Sequence, residues 1–247
     1  MLPLTLLKKA SQTYRRVCQH LYTPTCLFCG LHKSTHLGAC PACWKTLPLP
    51  PSMACPCCGQ PSAEAKLCGH CQRNRPYFDA LVSAFRYDYP LRSVIQHYKY
   101  GKKLHLSHQL GQLFCSQLPT DLAMNWGAEA ILAIPLSKQR LKERGFNQSL
   151  ALAQILAQHW QLPLLDNLVF RNRHTERQAQ LPWQERTQNV RNAFAVNPKK
   201  QANLSYRCVI IVDDVATSGA TLSAVAQLLK QNGVGKVYAL TLARAIL

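Results

Sequence analysis

Asp213 and Asp214 stand side by side, and Thr217, Ser218 and Gly219 follow closely, with Thr221 ending the run. Adjacent carboxylates suit the hydroxyls of a ribose, directly or through a bound cation. Hydroxyl side chains and a glycine suit phosphate, because hydroxyls donate and a missing Cβ lets the backbone come close. The flanking residues say what must position this set. Val209 to Val212 are consecutive β-branched apolar residues, the pattern of a strand buried on both faces of a parallel sheet. After the turn, Leu222, Val225, Ala226 and Leu229 recur on one face of a helix that Gly233 should stop. Such a strand, small-residue turn and helix N-terminus offer backbone N–H groups and a positive dipole end to an anion. Asp213, Asp214, Ala216, Thr217, Ser218, Gly219, Ala220 and Thr221 therefore form a candidate ribose-phosphate site.

The order of these residues resembles the loop that binds phosphoribosyl pyrophosphate (PRPP) in type I phosphoribosyltransferases. It is not a Walker loop, since no Gly-Lys-Ser/Thr follows a four-residue spacer.

Cations gather at two further places. Ala130 to Pro135 reads as a second buried strand, and a helix through Ile155 to about Trp160 follows later. Between them, Ser137, Lys138, Arg140, Lys142, Arg144, Asn147 and Gln148 are expected to form a cation-rich loop. It would hold a pyrophosphate or a nucleic-acid backbone where an open α/β sheet binds ligands. Earlier, Ala80 to Tyr87 has strand composition, and Pro90 suits the first turn of a helix ending near Tyr100. Tyr98, Lys99, Tyr100, Lys102 and Lys103 interleave aromatics with charge at that helix end. Such a patch either stacks bases and neutralises phosphates or complements the helix dipole.

Ten of the twelve cysteines fall between Cys18 and Cys71, and eight of these form four Cys-x-x-Cys pairs. The pairs are Cys26/Cys29, Cys40/Cys43, Cys55/Cys58 and Cys68/Cys71. In a reducing compartment such pairs are metal ligands far more often than disulfides. Two pairs close one tetrahedral Zn²⁺ site with no open position, so the set predicts two structural zinc sites. Pairing is either sequential or cross-braced. Gly30, Gly59 and Gly69 each follow a cysteine, where tight knuckle turns favour glycine.

The chain has 247 residues, with 29 Lys and Arg against 11 Asp and Glu, a formal net charge of +18. That imbalance favours a polyanionic partner, with nucleic acid first and an anionic membrane second. No run approaches the roughly 18–20 apolar residues of a membrane span, and Lys8-Lys9 interrupts the apolar start with no cleavage site after it. A cytoplasmic protein is expected. Leu4, Leu7, Tyr14, Val17 and Leu21 give residues 1–23 the spacing of a basic amphipathic helix, suited to packing on the next module or to a membrane surface. Residues 24–75 form the zinc module. Alternating strands and helices make residues 76–247 an α/β domain with a mainly parallel sheet. The polar stretch from Arg171 to Arg191 interrupts it and could close over a ligand.

From about Pro24 onward the chain resembles the ComF/GntX family of bacterial competence and DNA-utilisation proteins. The resemblance rests on the cysteine pairs, Tyr98-Lys99-Tyr100-Gly101, Pro135-Leu136-Ser137, Arg140 and Arg144 to Gln148. It continues through Gln178 to Leu181, Arg186, Asn189-Val190 and the Asp213 to Thr221 loop. It implies a type I phosphoribosyltransferase-like fold behind a zinc module, a role with imported single-stranded DNA in transformation, and cooperation with DNA helicases or recombination proteins. It also implies that Asp213 and Asp214 would hold the ribose hydroxyls, Ala216 to Thr221 the 5-phosphate, and Lys138 to Arg144 the pyrophosphate, with Mg²⁺. An active Mg-PRPP-dependent phosphoribosyltransferase of unknown acceptor is the alternative to a retained binding pocket.

Overall fold

The computed structural model describes residues 25–34, 37–101, 103–172, 193–201 and 205–246. The helix expected over 1–23, Lys102 and most of the polar stretch (173–192, with Gln178, Arg186 and Asn189) lie outside the described residues. The chain divides into two compact units, residues 1–46 and 47–247.

The first unit contains a knuckle at Cys26–Gly30 and the short helix α1 (Pro41–Lys45). Its Cys40 caps α1 by accepting a hydrogen bond from the Cys43 N–H.

The second unit is built on four parallel strands, β1 (Ala80–Arg86), β2 (Ala130–Ala133), β5 (Cys208–Ala216) and β6 (Lys236–Arg244), in the order β1-β6-β5-β2. An antiparallel pair, β3 (Val169–Arg171) and β4 (Phe194–Val196), stands apart from this sheet. Val209 to Val212 are all fully buried, as a strand covered on both faces requires. β6 is likewise apolar from Val237 to Ala243, apart from Tyr238 and Thr241, and Thr241 shares a 2.7 Å hydrogen bond with Ser83 of β1.

Helices cover the sheet. The second cysteine group lies beside α2 (Gly69–Arg73); α3 (Leu91–Tyr100) and α4 (Leu106–Ser116) follow β1, and the short α5 (Leu122–Asn125) leads to β2. Leu106, Leu110, Leu113 and Phe114 bury one face of α4. α7 (Gln148–Trp160) packs on α4 and on β2 and β5. Gly111 makes the α4–α7 contact close: a Cβ there would stand 2.2 Å from Ile155 Cδ1. The short α8 (Pro198–Gln201) precedes β5, and α9 (Ala220–Gln231) follows it with Leu222, Val225, Ala226 and Leu229 buried.

The residues expected to form a cation-rich loop instead form a helix, α6 (Lys138–Arg144). Ser137 caps it by accepting from the Arg140 N–H, and Gly145 ends it at φ +81°. No glycine or proline lies between, and Lys, Gln, Arg, Leu and Glu are all good helix formers. Seven residues with both caps outweigh the repulsion among their charges.

Candidate functional site

Parallel pairing of β2 with β5 sets Ala133 beside Val212, so the segments leaving both strands emerge together at one sheet edge. β5 carries Asp213 and Asp214 near its C-terminal end. The chain then bends through Thr217 and Ser218, and Gly219 at φ +79° directs it into α9. A side chain at Gly219 would be strained by that φ alone. Ser218 Oγ accepts from the Ala220 N–H at 3.2 Å, which steadies the turn. A small open cleft is lined by Asp213, Thr217, Gly219 and Thr221 among others.

The two acids are differently held. Asp213 Oδ1 accepts from Ser149 Oγ at 2.7 Å and from the Asp214 N–H at 2.9 Å. Asp214 is buried, and Lys99 Nζ lies 3.0 Å from its Oδ1. Burial and the neighbouring charge of Asp214 push the Asp213 carboxyl up to about 6, although the Ser149 hydrogen bond and Lys99 pull the other way. Asp213 is thus held above the usual carboxylate range.

Arg171 lies within charge reach of both Asp213 and Arg140. Arg171 on β3 is nearly buried, with its guanidinium 5.3 Å from the ring centroid of Phe194. Burial first, and then the charge of Arg140, pull Arg171 down to about 10, while Asp213 raises it. An anion bound near these two cations would relieve their repulsion.

The remaining expected residues separate. Lys138 and Lys142 are exposed on α6. Arg144 donates to Gln148 Oε1 at 3.0 Å and lies over the Tyr100 ring at 5.4 Å. Asn147 caps α7 by accepting from the Ser149 N–H and donates to the Ile134 carbonyl, so its side chain is spent on structure. Gln148 is fully buried, and its Nε2 has no hydrogen-bond partner among the described residues.

Among the described residues the basic-aromatic patch is not one surface. Tyr98 is fully buried, packs on Phe146 at 5.2 Å, and donates or shares its hydroxyl proton with Ser107 and the Gln148 carbonyl. It falls on the face that Leu91, Val94 and Ile95 bury, so it cannot stack bases. Lys99 turns to Asp214, leaving Tyr100 and Lys103 exposed.

The eight cysteines assemble into two quartets with sequential pairing: Cys26, Cys29, Cys40 and Cys43, then Cys55, Cys58, Cys68 and Cys71. All four Sγ atoms of each lie within 4.8 Å of one another. Tetrahedral Zn–S bonds of about 2.3 Å place sulfurs roughly 3.8 Å apart. Cys29 to Cys40 at 4.0 Å and Cys58 to Cys68 at 3.6 Å bracket that value. The Cys40 N–H donates to Cys26 Sγ at 3.3 Å and the Cys68 N–H to Cys55 Sγ at 3.4 Å, which favours thiolates. Backbone N–H groups of His32 and Leu31 likewise pull Cys29 down to about 6. Both quartets fit Zn²⁺ as closed structural sites. Gly30 and Gly59 adopt positive φ in the knuckles, whereas Gly69 opens α2 with no such requirement. Cys57 is not a member of the quartet, although its buried thiol lies against Cys71, and its carbonyl accepts from the Leu81 N–H at 2.8 Å.

Sequence reasoning missed Ser149, Arg171 and the pairing of Lys99 with the acids. Each comes to the site from a segment distant in sequence from Asp213.

Comparison with known proteins agrees with this construction. Residues 17–72 match the double zinc ribbon domain, and residues 147–246 match the phosphoribosyl transferase domain. Competence protein F of Haemophilus influenzae is 33% identical over 231 residues, covering 89% of this chain and 96% of that protein. DNA utilization protein YhgH of Salmonella typhimurium is 33% identical over 219 residues, covering 86% and 92%. Competence protein ComFC of Bacillus subtilis is 25% identical over 213 residues, covering 83% and 84%.

Proposed function

The chain belongs to the ComF/GntX family of competence and DNA-utilisation proteins, and from that premise we propose that it handles incoming single-stranded DNA in the cytoplasm while holding a ribose-phosphate ligand of the PRPP type. The observation that carries the ligand is Asp213 sharing one cleft with Thr217, Gly219 and Thr221, with Asp214 buried on Lys99 and with Arg171 within charge reach of Asp213. In this reading Asp213 and Asp214 take the ribose hydroxyls, with Mg²⁺ accompanying the ligand. Thr217 to Thr221 take the 5-phosphate, and Arg140 and Arg171 take the diphosphate. Each quartet holds one structural Zn²⁺. The +18 charge supplies the affinity for DNA, and helicases or recombination proteins are its protein partners.

Titration calorimetry with Mg-PRPP tests the pocket. Asp213→Asn and Asp214→Asn should each weaken binding roughly 10- to 100-fold, the worth of a charge-assisted hydrogen bond. Binding to the unaltered protein should also weaken as pH falls through about 6, where Asp213 takes up a proton. No binding at pH 7.5 would remove the ligand from the reading. For DNA, log affinity for an oligonucleotide should fall linearly with log salt; a flat dependence between about 50 and 200 mM would remove the electrostatic mode.

The transferase reading draws on the same two arginines, which would stabilise a departing pyrophosphate. Pyrophosphate release from PRPP in the presence of single-stranded DNA separates the two. A retained pocket binds PRPP and releases none.

A further inference from the structure

Arg244, the last residue of β6, is 2% exposed and has its guanidinium shared between two places. Its Nε–H donates to the carbonyl of Cys58 at 3.0 Å, and its Nη1–H donates to the carbonyl of Thr217. Cys58 is a member of the second quartet, and Thr217 begins the phosphate turn. One buried cation therefore bridges a metal-ligand residue and the turn.

Other contacts run parallel to it. Gln60 Nε2 donates to the Ala245 carbonyl at 2.8 Å, and the Ala245 N–H donates to the Ala216 carbonyl at 2.9 Å. The Leu81 N–H donates to the Cys57 carbonyl at 2.8 Å, tying the knuckle to β1. The Phe78 ring lies 3.6 Å from where a Cβ on Gly219 would stand, directly under the turn. A four-thiolate zinc site is formally dianionic, so a buried arginine beside it is also matched in charge. Only arginine presents donors on a rigid planar fork able to serve two carbonyls at once.

We infer that Arg244 is a positioning residue coupling the second quartet to the phosphate turn, so that metal held by Cys55, Cys58, Cys68 and Cys71 sets how firmly the turn grips a phosphorylated ligand. The ligand half of this statement rests on the ribose-phosphate reading above. Loss of metal, by chelation or thiol oxidation, frees the Cys58 carbonyl, and with it the arginine that holds Thr217. Coupling between sites is reciprocal, so ligand in the turn must also hold metal in the quartet.

The full-length, zinc-loaded protein is treated with a chromogenic chelator, with and without saturating Mg-PRPP. One of its two zinc ions should be released about fivefold or more slowly when PRPP is present, the lower range for coupled sites. In Arg244→Gln that protection should vanish while both zinc ions remain bound beforehand. PRPP binding by calorimetry with no change in either release rate would overturn the coupling. Amide hydrogen exchange over residues 217–221, without ligand, decides the link independently. Exchange should be about fivefold or more faster in Arg244→Gln than in the unaltered protein. Arg244→Lys keeps the charge without the fork and should show the same loss, which covers the case where the glutamine variant fails to fold. Unchanged exchange in the folded variant would overturn the inference. Failure of PRPP to bind at all would sink the ligand reading, while the exchange result would still judge the bridge.

Discussion

Lys99→Met should destabilise the protein by roughly 3–5 kcal/mol at neutral pH, the range for removing one partner of a buried ion pair. Lys99 and Asp214 keep only 15% and 8% of their side-chain surface, so water cannot replace the lost ammonium. Asp213 adds to the cost, because it adjoins Asp214 and is already held near 6 with Lys99 in place. Without Lys99 the acid pair carries uncompensated charge, which Asp213 relieves by holding its proton further above the usual carboxylate range. In the unfolded chain Asp213 ionises near 4. The folded variant therefore binds more protons than its unfolded chain between about 4 and the raised value, and its stability falls as pH rises through that window. Urea unfolding of both proteins at pH 4 and pH 7.5 checks this. The gap between them should be widest at pH 7.5 and close towards pH 4. An equal gap at both would mean that Lys99 matters for packing and not for charge. Asp214→Asn placed on top of Lys99→Met should recover much of the loss, since it removes the charge left unpaired.

What the sequence discloses about this site depends on distance along the chain. The strand, acids, turn and helix from Val209 to Leu229 are contiguous, so their order alone predicts the cleft they form. The quartets are legible for the same reason: two-residue spacing fixes each knuckle, and only the choice between sequential and cross-braced pairing needs tertiary structure. Lys138 to Arg144 misleads because charge density suggests a loop while the caps, Ser137 and Gly145, specify a helix. Tyr98 misleads in a different way. Its lysine neighbours suggest a surface, yet it lies four residues after Val94 and seven after Leu91, the period of the buried face. Arg171, Ser149 and Arg244 are silent because their partners come from distant segments. Arg244 alone leaves a trace, as a charged residue ending the apolar run of β6. A cation in that position needs a buried partner, and the sequence does not say that a cysteine carbonyl supplies one.

Cys71→Ser should abolish cooperative unfolding of residues 47–247, because the second quartet is part of that unit's core. Cys71 is 2% exposed, and Cys55, Cys57, Cys58 and Cys71 share one apolar cluster with Phe78, Leu81, Leu222 and Val237. Structural zinc contributes about 10–16 kcal/mol to small zinc folds, against about 5–15 kcal/mol for the net stability of a typical domain. Losing that site removes as much as the whole margin, and a serine hydroxyl cannot complete a tetrathiolate. The first quartet lies in the separate unit 1–46, so Cys43→Ser should cost the chain one zinc and leave the main thermal transition of the sheet in place. Zinc content, near-ultraviolet circular dichroism and scanning calorimetry on the two variants read the contrast. Cys71→Ser should lose its near-ultraviolet signal and its sharp heat-absorption peak, while Cys43→Ser keeps both. A sharp transition surviving in Cys71→Ser with one zinc bound would show that the sheet folds without its ribbon. Arg244 would then be left with a carbonyl partner on a segment the domain can do without.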